Sequence, residues 1–172
     1  HREILHAPSA HGLRIATFQT HSNTAGETPC LLCEPAPNFP SSAKGLHLRE
    51  QLSNAHVALP APSSIIGTLV LLHGHTGRKE DMLPVAERFC AAGFRCLLLD
   101  LPGHGDHPLP FATFGKTERQ LPSAVLQTAS QQFHFTIDWS GLFGLSQGGA
   151  IALQTAAEEP KQWQAVAEIS SF

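Results

Sequence analysis

From Gly67 onward, unbroken apolar runs alternate with stretches whose apolar residues return every three or four positions. Thr68-Leu69-Val70-Leu71-Leu72, Arg95-Cys96-Leu97-Leu98-Leu99-Asp100-Leu101 and Ser140-Gly141-Leu142-Phe143-Gly144-Leu145 are too continuous for a strand with one wet face, so they predict strands covered on both sides. A fourth strand is expected within Trp163 to Ser170, around Ala165-Val166-Ala167-Glu168-Ile169. Between the first two runs, Met82, Val85, Ala86, Phe89 and Cys90 make a helical stripe over 81–92, with Asp81 as cap, Pro84 in the first turn and Gly93 as the stop. A second helix is expected within Thr117 to Gln132, where Pro122 interrupts the pattern, and an Ala-rich helix after Ser146. Strand and helix alternating at this spacing predict an α/β fold, a mostly parallel sheet with flanking helices.

The first third of the chain reads differently. Leu13 to Phe18 and Cys30 to Cys33 predict two strands, joined as a hairpin through the turn residues Asn23-Thr24-Ala25-Gly26-Glu27. Residues 36–65 are rich in Pro, Ser, Ala and Asn without sustained periodicity, and predict a long loop or insertion. The chain thus divides into N-terminal strands (1–35), this insertion (36–65) and an α/β core (66–172).

Composition narrows the function. With 172 residues the chain can bury a real core, and a net charge of -3 without a Lys/Arg cluster argues against a nucleic-acid partner. The longest uncharged apolar stretch, Ile65 to Leu72, is far short of the roughly 20 residues of a membrane span. The opening His1-Arg2-Glu3-Ile4-Leu5-His6 is too polar for a signal-peptide core, so a cytoplasmic location is expected, with a processed N-terminus left open by the absence of an initiating Met. Cys30-Leu31-Leu32-Cys33 matches C-x-x-C, but residues three apart in a strand point to opposite faces, and buried free thiols are the favoured reading for all four cysteines.

The chemistry concentrates at Gly144-Leu145-Ser146-Gln147-Gly148-Gly149, where a strand turns sharply into a helix. Glycines two before and two after Ser146 suit a turn in which neighbouring backbone leaves no space for Cβ atoms, and the helix behind it aims free N–H groups at any oxyanion formed there. Two further landmarks precede it: His73-Gly74-x-x-Gly77 after the first core strand and Asp100-x-Pro102-Gly103-His104-Gly105 after the second. In this order the three resemble the N-terminal half of an α/β-hydrolase, close to carboxylesterases of the cinnamoyl/feruloyl esterase and acyl-peptidase kind.

That resemblance implies Ser146 as nucleophile, the backbone N–H groups of Gln147 and His75 as the oxyanion hole, a small acyl substrate and no cofactor. It also implies an acid and a histidine after the nucleophile. Past Ser146 the sequence has neither His nor Asp, only Glu158, Glu159 and Glu168. The expectation is therefore a serine hydrolase cleaving a carboxylic ester, thioester or amide, whose last strands, acid and histidine come from a second polypeptide or a further C-terminal segment. Two alternatives stand beside it: a non-catalytic binding or scaffold protein that keeps the turn without the triad, and a metal-dependent hydrolase using His73, His75, His104 and His107.

Overall fold

The computed structural model describes residues 1–37, 39 and 42–170. Residues 38, 40 and 41 of the expected insertion, and residues 171 and 172, lie outside the described part. Six strands, β1 (Leu13–Ser22), β2 (Gly26–Pro35), β3 (Gly67–Leu72), β4 (Phe94–Leu99), β5 (Ser140–Leu145) and β6 (Ala165–Ile169), form one sheet in the order β1-β2-β4-β3-β5-β6. The N-terminal hairpin joins antiparallel through β2 and β4, whereas β4, β3, β5 and β6 are parallel. Both hairpin strands outrun the expected segments, pairing from Leu13↔Pro35 to Ser22↔Gly26 around a tight turn at 23–25.

The unbroken apolar runs are explained by burial on two faces. Val70, Leu72, Leu97, Leu99 and Leu142 meet helices α4 (Leu121–Phe133) and α5 (Gln147–Glu158) on one side. Leu69, Leu71, Cys96, Leu98 and Phe143 meet α1 (Arg2–His6) and α3 (Leu83–Ala91) on the other. Within one strand the two sets alternate, as the two-residue period requires. The same alternation sends Cys30 to the first face and Cys33 to the second, and all four cysteines are free and buried.

Two expectations need correction. Residues 36–65 are not all loop, because α2 (Ala43–Asn54) lies within them, started by the Ser42 hydroxyl accepting the Gly45 N–H at 3.1 Å. It buries little beyond Gly45 and Leu48, and docks through Arg49, which donates to the carbonyls of Ala91 (3.0 Å) and Pro60 (2.5 Å). Pro122 does not interrupt α4 but sits in its first turn, where no intrahelical N–H is needed. A smaller shift concerns the expected 81–92 helix: a 3₁₀ turn over Lys79–Met82 leads into α3, and Asp81 accepts the Arg78 N–H at 3.0 Å.

At the far edge, among the described residues, β6 pairs with β5 and ends the strand order; it is mostly exposed, Ile169 to 54%. Among the described residues no helix is long and apolar enough to cross a membrane.

Candidate active site

Ser146 stands between β5 and α5 with φ +49° and ψ −117°, the left-handed half of the map that a residue with a side chain avoids. Its N–H donates to the Ile169 carbonyl at 2.8 Å, which ties the turn to β6. The flanking glycines are required by contact: a Cβ on Gly144 would strike the Gly148 backbone, and one on Gly148 would lie 2.5 Å from the His73 carbonyl. Gly74 brings the β3 exit loop against the nucleophile, since a Cβ there would lie 3.6 Å from that of Ser146.

The residues expected to supply the oxyanion donors lie in the loop beside Ser146, next to Gly74, and at the first position of α5. Among the described residues, neither the His75 N–H nor the Gln147 N–H meets a hydrogen-bond acceptor, and the Ser146 hydroxyl also makes no hydrogen bond. Gln147 opens α5, so its N–H is one of the orphan donors at a helix start. Main-chain donors left free near a half-buried hydroxyl are what an anion forming there would require, and attack by that hydroxyl would further need a base.

Two exit loops hold His75 in place. Asp100, fully buried, accepts the Lys79 N–H (2.7 Å), the Lys79 ammonium (2.7 Å) and the Asp106 N–H (2.9 Å), joining the loop after β3 to the loop after β4. Burial alone would lower the Lys79 pKa, but Asp100 and Asp106 hold it well above its ordinary value. Gly105, at φ +55°, is needed because any side chain would run into the Asp100 carboxylate.

The four histidines do not make a ligand set. His73 donates from Nδ1 to the Gly74 carbonyl (2.8 Å) and accepts the Leu101 N–H at Nε2 (3.0 Å). His107 accepts the Leu109 N–H at Nδ1 (3.1 Å), so its Nε2–H is left to donate to Thr28 (3.1 Å). His104 donates from Nδ1 to the Pro102 carbonyl at 2.9 Å. Ring nitrogens committed in this way brace loops, and among the described residues no three His, Cys, Asp or Glu side chains are grouped as a metal would require.

Several contributors were not legible in the sequence. Gln147 Oε1 lies 3.1 Å from His75 Nδ1, and His104 Nε2 lies 3.3 Å from the same atom. Glu118, fully buried, accepts the N–H groups of Thr113 (2.5 Å) and Gly115 (2.9 Å). Burial alone would raise this carboxyl, but the Thr113 hydroxyl and these main-chain donors hold it below the usual range. The loop so fixed holds Phe114 at φ +52°, with its ring stacked on His75 at 6.1 Å. Phe114 and Phe111 are exposed at 56% and 74%, while Phe133 and Phe135 pack on the core and Trp139 on Phe94.

A family model described as serine aminopeptidase, S33, matches residues 63–172. The chain belongs to this family of α/β-hydrolases. Relatives of this S33-family chain include the 2-succinyl-6-hydroxy-2,4-cyclohexadiene-1-carboxylate synthase of Yersinia pseudotuberculosis, 37% identical over 89 residues, 51% of this chain and 29% of that protein. The Yersinia enterocolitica synthase of the same name is 35% identical over 102 residues, 59% of this chain and 34% of that protein. The S33-family chain therefore spans about a third of the length of the curated relatives it matches. In structure it resembles an esterase of Pyrococcus furiosus, with a TM-score of 0.69 at 16% identity over 95% of this chain and 52% of that one. An α/β-hydrolase fold protein from Nakamurella multipartita gives 0.61 at 17% identity, over 91% of this chain and 41% of that one, and both likenesses concern the fold.

Proposed function

We propose that the protein is a serine hydrolase that cleaves a carboxylic ester, or a related thioester or amide, through an acyl-enzyme on Ser146. The observation that carries this reading is a half-buried hydroxyl at a strained strand-to-helix turn, with the N–H groups of His75, in the adjoining loop, and Gln147, at the helix start, unpartnered among the described residues. Ser146 Oγ bonds to the substrate carbonyl carbon, its proton passes to a histidine, and the carbonyl oxygen becomes an anion held by the two N–H groups. On collapse the leaving alcohol, thiol or amine takes that proton, and water then releases the acid from Ser146. The acid and the histidine belong to polypeptide beyond residues 1–172, which also continues the sheet past β6. An adjacent base is needed because a serine hydroxyl is a weak nucleophile alone.

A rapid acid quench of the full-length protein with a p-nitrophenyl ester, followed by intact mass, should reveal one added acyl group, absent in Ser146→Ala. Ser146→Ala should also lower kcat by at least about a thousandfold, as loss of a nucleophile does. A Ser146→Ala protein that still turns over the ester would sink the reading. The synthase relatives are named for a reaction other than hydrolysis, and acyl trapping separates the two chemistries. The scaffold reading rests on the missing hydrogen bond at Ser146 Oγ among the described residues, and it predicts no adduct even in the full-length protein.

A further inference from the structure

The two residues that carry the free N–H groups touch each other through their side chains, and the hydrogen-bond partners determine how. His104 donates from Nδ1 to the Pro102 carbonyl, so its Nε2 carries a lone pair. His75 Nδ1, 3.3 Å from that lone pair, must carry the hydrogen, and it is shared with Gln147 Oε1 at 3.1 Å. Ring packing fixes the same geometry: His75 lies edge-on to His104 at 5.2 Å and stacked on Phe114 at 6.1 Å. The other end of the Gln147 amide, Nε2, is buried and has no partner among the described residues.

An unpartnered buried amide destabilises a fold, so Gln147 has no stability advantage over an apolar residue of the same length. What Oε1 does at this position is hold the ring of the residue whose main chain forms the other half of the oxyanion hole. We infer that Gln147 and His104 are positioning residues: through the His75 ring they hold the His75 N–H at the spacing from the Gln147 N–H that a developing oxyanion requires. This inference rests on the serine-hydrolase reading above. Misplacing one donor weakens transition-state binding while leaving ground-state binding in place, so kcat falls and KM does not.

The test uses the full-length protein with a p-nitrophenyl ester, and thermal melting in parallel. Gln147→Met keeps the length and removes the acceptor. The expected result is a melting temperature equal to or above that of the parent, kcat lower by about tenfold, less than the loss of a whole donor, and KM within about twofold. His75→Phe should give a similar loss, and the double variant no more than either alone, because both break one link. An unchanged kcat, a kcat loss that tracks a fall in melting temperature, or multiplicative losses in the double variant would each overturn the inference. Should Gln147→Met not fold, His104→Phe keeps the ring packing, removes the second acceptor and is expected to lower kcat several-fold at constant KM; parental kcat in that variant overturns the inference. Ser146→Ala separates the two levels: if it stays active, the hydrolase reading falls with everything built on it, whereas an inactive Ser146→Ala beside a parental Gln147→Met removes only the positioning role.

Discussion

At Ser146, a positive φ, a glycine two residues away on each side and a hydroxyl without a partner among the described residues belong to one local cause, the reversal of direction between β5 and α5. Two histidines of the neighbouring exit loops, His73 and His107, act by being neutral. Burial holds His73 and His107 below their ordinary value of 6.5, and each accepts a main-chain N–H that protonation would displace. The unfolded chain takes up these protons near pH 6.5 and the folded chain only at lower pH. Their contribution is therefore complete above 6.5 and lost as pH falls through the depressed values. Melting temperature should be level between about pH 7 and 8 and decline from about pH 6.5 downward, before the carboxylates titrate. A scan that stays level to pH 5 would contradict this. The sharp turn at Ser146 and Gln147 could be expected from the sequence because strand, glycines and helix lie within a few positions of one another. The His75–Gln147 side-chain link could not, because it joins residues 72 positions apart.

Elements were legible in proportion to how much of their order comes from apolar burial. β3, β4 and β5 were clear because both faces bury apolar side chains. α2 was hidden because it buries little and owes its place to a Ser42 cap and two Arg49 hydrogen bonds. The exit loops after β3 and β4 depend likewise on polar contacts, centred on Asp100. Asp100→Asn removes the charge facing Lys79, whose side chain is only 8% exposed, and should destabilise the fold by about 3 kcal/mol, the scale of breaking a buried pair. Urea unfolding would read this as a lower midpoint at unchanged slope. A variant with the parental midpoint would show that Asp106 and Glu80, also within reach of the ammonium, suffice without it.

For the whole molecule, the sheet is covered on both sides at β3 and β4 and open at β6. The four parallel strands place their exit loops at one end, so the residues that flank Ser146 come from the loops after β3, β4 and β5. At the opposite flank, β6 ends the strand order with Ile169 exposed, the condition under which sheets join edge to edge. A polypeptide of residues 1–172 should self-associate as its concentration rises, and Ile169→Lys should suppress this in sedimentation velocity. Association unaffected by Ile169→Lys would place the contact elsewhere.

The sequence by itself determined the alternation of strands and helices, the two-sided core and the turn that presents Ser146, because each depends on the spacing of apolar residues or on glycine within a few positions. Tertiary structure alone decided the strand order, the docking of α2, the carboxylates of Asp100 and Glu118 as anchors of loops, and the meeting of His75, His104 and Gln147. Those depend on polar groups finding partners far along the chain, and hydrogen-bond partners, unlike hydrophobic periodicity, leave no repeat in a sequence.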